Sequence, residues 1–237
     1  LVVHEGLKLK PRPQEGVKLY SYSRDSGDFH AERIRRGNGE IRFDFVYPGG
    51  RIDDISLGVP VEVNIENAVA SLAACWLTGD MEPEAARTAV GTFLGAKRRF
   101  EFWLKEPGEH GRAIIDDYAH HPNELHALLQ AVRLMHYRRV ICAFQPHTYS
   151  RTKALFQDFV DELRTVDQAV LADIYAAREQ NTVGISSQDL AAEVPGAVYC
   201  PRLQDVTTYL RGIAQPGDII LTVGAGDIYK AGEALLK

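Results

Sequence analysis

Cysteine is scarce in this 237-residue chain: Cys75, Cys142 and Cys200 stand far apart, and none belongs to a C-x-x-C pair. That excludes a disulfide framework and fits a reducing compartment, so a cytoplasmic protein is expected. Long apolar runs are missing as well. No stretch approaches the roughly 18 uninterrupted apolar residues of a membrane-spanning helix, and no charged segment precedes an apolar run at the start. Nor is there an excess of basic charge: 27 Lys and Arg stand against 32 Asp and Glu, for a formal net charge of -5. Without a basic field, nucleic acid is not an expected partner. Finally, no G-x-x-x-x-G-K-[ST] segment occurs, and neither GTFLGAK nor GAGDIYK has the spacing, so the chain holds no complete triphosphate cradle. Internal repeats, heptads and low-complexity tracts are also absent.

What remains is ordinary globular material, 45% hydrophobic and 25% charged, with a length that suits two modest domains. The opening Leu1, Val2 and Val3 read as the end of a buried strand with no initiator methionine, as expected of a fragment of a longer protein. From about 17 to 63 come short β-rich pieces, VKLYSYS, FHAERIRR, EIRFDFVY and ISLGVPVEV, separated by signals such as GNGE and PGG. They predict a small antiparallel meander. The period then changes. NIENAVASLAACWLTG sets Ile65, Val69, Leu72, Ala73 and Trp76 on one helical face, with Gly79 placed to close the helix. A second helix is predicted from about 83 to 93, with Pro83 in its first turn.

Beyond about 103 the rhythm is strand, helix, strand, helix. Strands are predicted at 113 to 117, 139 to 144, 168 to 173, 197 to 200 and 218 to 223, with helices at about 123 to 135, 152 to 164, 187 to 194, 204 to 213 and from 227. Near-continuous Val, Ile and Leu runs predict parallel strands covered on both faces. The fold class is therefore α/β: a doubly wound, mostly parallel, Rossmann-like sheet over 104–237, preceded by a smaller domain over 1–103. KEPGEHG, 105 to 111, is the predicted linker and hinge. Four polar clusters, DDYAHHP, FQPHTYSR, DIYAARE and GAGD, each follow a strand directly. All four should emerge at the carboxyl edge of the sheet, where open α/β sheets bind ligands.

Each cluster has a plain reading beside a chemical one. In DDYAHHP, adjacent residues leaving a strand point to opposite sides, which disfavours His120 and His121 as ligands of one metal ion, and H-E-x-x-H spacing is missing. Hydrogen-bonded loop histidines, with Asn123 as helix N-cap, are the plain alternative. Asp117 is suited to ribose hydroxyls, and Asp116 to capping or loop stabilisation. The run AKRRF could send one guanidinium to a phosphate, where a bidentate fork suits the geometry, although charge runs are usually solvated faces. Arg138 and Arg139 are read as solvated. His147 and Arg151 lie on a strand-to-helix loop, and a cation in a first helical turn opposes the macrodipole, which suggests a bound anion or an acidic neighbour. GAGD resembles the opening of a phosphate loop without its third glycine. The three cysteines read as buried small hydrophobes.

Taken in order, Asn64-x-x-Asn67, Gly95 to Phe100, DDYAHHP, FQPHTYSRT, DIYAARE and GAG resemble the Mur ligases, and the resemblance covers nearly the whole chain. It implies an ATP-dependent ligase of peptidoglycan synthesis that joins L-alanine to the muramyl carboxylate of UDP-N-acetylmuramate through an acyl phosphate. The FQPHTYSRT segment separates that activity from the murein tripeptide ligase of the same family. The implied small-molecule partners are UDP-N-acetylmuramate, L-alanine and ATP, with Mg²⁺ held mainly by residues upstream of this chain. By the same resemblance Asn64, Asn67, Arg99 and Asp117 contact ATP, with Arg99 near the γ-phosphate. Arg99 and His120 are the catalytic candidates, and Tyr118, His147 and Arg151 orient a substrate carboxylate. Val63 departs from the pattern, since relatives often carry histidine there. A non-catalytic nucleotide-binding module and a metal-dependent hydrolase are the alternatives from other classes.

Overall fold

The computed structural model of the protein describes residues 1–8, 11–37, 39–79, 81–108 and 110–237. Asn38 of the GNGE signal and Glu109 of the 105–111 segment lie outside the described residues. The chain divides into two compact units, Leu1–Gly95 and Ala96–Lys237.

The first unit opens with β1 (Val2–His4), paired in parallel with β2 (Tyr20–Tyr22). The opening residues thus form a strand, but a half-buried one. An antiparallel sheet follows, in the order β3 (His30–Gly37), β4 (Glu40–Tyr47), β5 (Gly50–Ser56). The last of these was expected over 55 to 63. Asp53 and Asp54 disguise it as a turn, yet both carboxylates are matched by arginines: Asp53 by Arg33 and Arg51, each at 2.7 Å, and Asp54 by Arg35 at 2.7 Å. Helix α1 (Val63–Thr78) buries Ile65, Val69, Leu72 and Ala73 of the predicted stripe and Ala68 beside them, while Trp76 is partly buried against the core. It ends on Gly79 at φ 81°, whose amide donates to the Trp76 carbonyl; only glycine takes that left-handed turn without cost. Helix α2 (Pro83–Thr92) starts with the Glu82 side chain accepting from the Ala85 amide. The core joins Phe29, Phe43, Phe45, Ile52 and Ile55 of the sheet region to the α1 stripe. Cys75, expected inside, is exposed because it falls at the margin of that stripe.

The second unit begins with β6 (Glu101–Lys105) and β7 (Ala113–Asp117), an antiparallel pair. Then come α3 (Pro122–Arg133), β8 (Arg139–Phe144), α4 (Tyr149–Ala154), α5 (Phe156–Leu163), β9 (Gln168–Leu171), α6 (Ser187–Glu193), β10 (Val198–Tyr199), α7 (Leu203–Ile213), β11 (Asp218–Val223) and α8 (Tyr229–Leu235). The six strands lie in the order β10-β9-β8-β11-β7-β6, parallel except for the edge strand β6. The mostly parallel α/β sheet and the small antiparallel sheet match the predicted fold class. Every residue of β7 and β11 is buried, as a sheet covered on both faces requires.

Several local expectations change. A boundary at 103 falls inside β6, and the predicted linker 105–111 is the turn of the β6–β7 hairpin. Its Pro and Gly serve that turn, closed by a Glu106–Arg112 ion pair at 2.6 Å and by the Glu106 amide donating to the Arg112 carbonyl at 2.9 Å. The single helix expected over 152 to 164 is two, broken at Leu155, whose φ -113° and ψ 26° lie outside helical values. Arg138 and Arg139 are not merely solvated. Asp218, fully buried at the start of β11, pairs with Arg139 at 2.7 Å and Arg138 at 3.4 Å, and such a charge needs a partner.

Candidate functional site

Because β7, β8, β9 and β11 run parallel, the polar clusters that follow them meet at one rim of the second unit. Strand β6 runs the other way, so the residues before it reach the same rim, with Glu101 opposite Asp116. Arg98 and Phe100 take positive φ values, 59° and 51°, which folds this entry into a tight corner. The corner is tied to β7: the Phe100 amide donates to Asp117 Oδ2 at 2.7 Å, and the Tyr118 amide donates to the Arg98 carbonyl at 2.7 Å.

The two aspartates divide the work in an unforeseen way. Asp116, read as a cap or loop residue, is fully buried, pairs with Arg98 Nε at 2.9 Å and accepts from Thr222 Oγ1 at 2.7 Å. Burial raises its pKa in spite of these partners. Asp117 is buried at the end of the strand, with Oδ1 accepting from the Ala119 amide at 2.7 Å and Oδ2 from Phe100. Burial pushes its pKa up as well. Both oxygens therefore already hold the corner together, and each keeps one lone pair for another donor.

Of the adjacent arginines, Arg98 is structural. Its guanidinium donates to the Gly224 and Gly226 carbonyls at 2.6 and 3.1 Å and lies between the Tyr118 and Tyr229 rings, 5.0 and 4.6 Å from their centroids. Arg99 is exposed, with Glu124 at 3.9 Å and the Tyr118 ring at 5.6 Å. It is the arginine available to an incoming anion. The GAGD segment, in contrast, does not form a phosphate cradle. Gln145 Oε1 accepts from the Asp227 and Ile228 amides at 2.8 and 3.0 Å, while its Nε2 donates to Asp227 Oδ1 at 3.0 Å. Glycine at 226 serves close packing: a Cβ there would stand 2.3 Å from Gln145 Oε1 and 2.8 Å from Tyr175 Cβ.

His120 and His147 face one another, ring centroids 5.9 Å apart, and His147 stacks on Tyr175 at 5.6 Å. His120 Nδ1 bonds the Tyr118 carbonyl at 3.0 Å, and the His120 ring meets the Tyr118 ring edge-on at 5.5 Å. Since a carbonyl only accepts, Nδ1 carries the proton and Nε2 is the ring's remaining acceptor in the neutral form. His121, rather than Asn123, caps α3: its Nδ1 accepts from the Asn123 amide, and Glu124 reaches back to the His120 and His121 amides at 2.9 and 3.2 Å. Arg151 lies 3.3 Å from His147 Nδ1. Burial first, then the charges of Arg151 and His120, hold the His147 pKa below its ordinary value. The acidic neighbour that the first-turn arginine calls for is present: Glu179 accepts from the Ser150 amide at 2.9 Å at the start of α4. Tyr118, His120, His147 and Arg151 are thus brought together as expected. Gln145, Tyr175 and Glu179 were missed as individuals, although each lies within a cluster that the sequence singles out.

In the first unit, Asn64 and Asn67 line a cavity of about 260 Å³ with Leu57, Val59, Leu72 and Val90. Asn64 Nδ2 donates to the Val59 carbonyl at 3.1 Å, and Asn67 Nδ2 donates to Asn64 Oδ1 at 3.0 Å. Asn67 keeps one N–H and its Oδ1 for a ligand. Val63, exposed at the start of α1, offers no polar group. Among the described residues no group of three or more His, Cys, Asp or Glu side chains could hold a metal ion, and no helix is long and apolar enough to cross a membrane.

Comparison with known proteins places this rim in context. The model of a family described as "Mur ligase, glutamate ligase domain" matches residues 98–226. Relatives from Phocaeicola vulgatus and Parabacteroides distasonis, both named UDP-N-acetylmuramate--L-alanine ligase, are 40% and 44% identical, and each alignment covers 96% of this chain and 49% of the relative. The chain spans about half the length of the curated relatives it matches. Among solved structures, the UDP-N-acetylmuramate-alanine ligase of Thermotoga maritima is similar with a TM-score of 0.75 at 23% identity, over 92% of this chain and 46% of that one. The folylpolyglutamate synthase of Thermotoga maritima gives 0.67 at 17% identity, over 93% and 48%.

Proposed function

The chain belongs to the Mur ligase family, and from that premise we propose that it works as part of a longer ATP-dependent ligase joining L-alanine to the muramyl carboxylate of UDP-N-acetylmuramate, in peptidoglycan synthesis. The γ-phosphoryl group of ATP passes to the carboxylate oxygen, and ADP leaves. The alanine nitrogen then attacks the acyl phosphate carbon, the tetrahedral intermediate expels phosphate, and the nitrogen gives up a proton. Such chemistry needs positioning and charge neutralisation more than a protein nucleophile.

The observation that carries this reading is that the family match over residues 98–226 coincides with the rim where Arg99, Tyr118, His120, His147 and Arg151 gather. In the proposed roles, exposed Arg99 meets phosphoryl charge, and Arg151 reads a substrate carboxylate beside Tyr118 and a neutral His147. His120 Nε2 takes the proton released by the amine. Asp117 has a lone pair on each oxygen for a ribose hydroxyl, though its first task is the corner. The apolar cavity of the first unit suits the faces of a planar base, and the unused N–H and Oδ1 of Asn67 match the N6 and N7 edge of adenine. None of these roles passes through a metal ion, since no group of three or more His, Cys, Asp or Glu side chains gathers among the described residues.

The test uses the full-length enzyme with UDP-N-acetylmuramate, L-alanine and ATP, following ADP release and the amide product by mass. Arg151→Ala is expected to raise the KM of one acceptor substrate by more than tenfold, about 1.4 kcal/mol of lost binding. An unchanged KM for both acceptors would remove Arg151 from the site, and absence of product from the native enzyme would refute the reading as a whole.

A further inference from the structure

Arg151 is carried by a helix that cannot fix it unaided. Helix α4 has six residues, and its N-cap, Thr148, makes no side-chain capping bond. Thr148 stands at φ 67°, a conformation that a β-branched residue adopts only when its surroundings impose it. Those surroundings come from the loop after β9. The Tyr175 amide donates to the Pro146 carbonyl at 2.8 Å and the Thr148 amide to the Tyr175 carbonyl at 2.9 Å, which extends the β8–β9 pairing beyond the strands. Ala177, at φ 54°, then turns the chain, and the Glu179 amide closes the turn on the Ala176 carbonyl at 2.9 Å. This brings the Glu179 carboxylate onto α4: Oε2 accepts from the Ser150 amide at 2.9 Å, and Oε1 accepts from the Ser150 hydroxyl. The next segment is pinned as well, by Asn181 exchanging two bonds with Ile185.

We propose that Glu179 is a positioning residue for substrate recognition: a cap supplied by the neighbouring loop, which fixes the first turn of α4 and so holds Arg151 beside His147. The assignment rests on the ligase reading above and deepens it. Glu179 makes no hydrogen bond to His147 or Arg151; its charge acts on both through space, and its bonded contact with the site is through Ser150 and the helix turn. Capping of a first-turn amide by a carboxylate also offsets the unfavourable placement of a cation there.

A double-mutant cycle in the full-length enzyme tests this, with KM for L-alanine, UDP-N-acetylmuramate and ATP measured separately. Glu179→Ala is expected to raise, by about tenfold, the KM of whichever acceptor Arg151→Ala affects, with kcat and the ATP KM changed less than twofold. In the Arg151→Ala background it should add less than twofold. Glu179→Gln, which keeps an oxygen for the Ser150 amide, should stay within threefold of native. If Glu179→Ala does not fold, Ser150→Ala deletes the hydroxyl bond alone and carries the same cycle with a rise of about threefold. Equal effects of the substitution with and without Arg151, or a change confined to kcat or ATP, would overturn the proposal. A native enzyme that forms no product would instead refute the ligase reading and leave the cap to be judged by a crystal structure of Glu179→Ala, in which Arg151 must have moved.

Discussion

Arg98→Ala should destabilise the second unit severely, and the structure sets the scale. Asp116 is fully buried and relies on Arg98 Nε at 2.9 Å for its countercharge. Removing one partner of a buried pair costs about 3–5 kcal/mol. The Gly224 and Gly226 carbonyls would also lose their guanidinium donor. Since the Arg98 side chain is 20% exposed and water can replace part of these contacts, a total of about 4 kcal/mol is expected. With an m-value near 2 kcal/mol/M, the urea midpoint should fall by about 2 M. The two tryptophans provide the assay. Trp76 packs against the core of the first unit and Trp103 against that of the second, so in a Trp76→Phe background fluorescence reports the second unit alone. Adding Asp116→Asn removes the stranded charge and should recover about half of the loss. The pH dependence has a defined sign. Burial raises the folded-state pKa of Asp116 above its ordinary 3.8, so the folded state binds the proton more tightly and the aspartate's contribution becomes less favourable as pH rises through that window. Without Arg98 the window widens upward, and the loss should grow with pH. A midpoint shift below about 0.5 M, or a double mutant no more stable than the single, would refute the reasoning.

Other outcomes are equally specific. The His147 ring should titrate below 6.5 by NMR, and Arg151→Ala should move its midpoint upward; a downward move would show that the two groups are not neighbours. Because the unfolded chain then holds the proton more tightly, this histidine's contribution to stability increases as pH rises through that window. Of the three thiols, only Cys75 should react with Ellman's reagent in the native protein, since Cys142 is buried and pushed up to about 12; release of two or more equivalents would contradict the burial assignment. The 237-residue chain by itself, lacking G-x-x-x-x-G-K-[ST], should form no amide product from ATP, and measurable turnover would refute that expectation.

Much of the second unit is legible because buried parallel strands leave a plain signature: AIIDD, RVICAF and DIILTV are runs that only a sheet covered on both faces accommodates. What escaped the sequence depends on partners remote in the chain. EFWLK carries charges at both ends and becomes β6 only through pairing with β7. GRIDDIS is a strand because arginines elsewhere in the first unit neutralise Asp53 and Asp54. Nothing in the letters of Arg98-Arg99 tells which is held by Asp116 and which is exposed; both lie in the corner formed with positive φ at 98 and 100. GAGD has the letters of an anion loop, but the amide of Asp227 is taken by a glutamine 82 residues earlier and that of Gly224 by the Asp117 carbonyl.

Gln145, Arg98 and Glu179 share a habit: each is anchored in one loop and grips another. The rim is therefore not modular. A loop transplanted singly from a relative would arrive without its counterpart, so grafting at this rim requires exchanging the segments after β7, β8, β9 and β11 as one set. Variation that leaves the grips intact belongs at exposed positions outside them, such as Arg99.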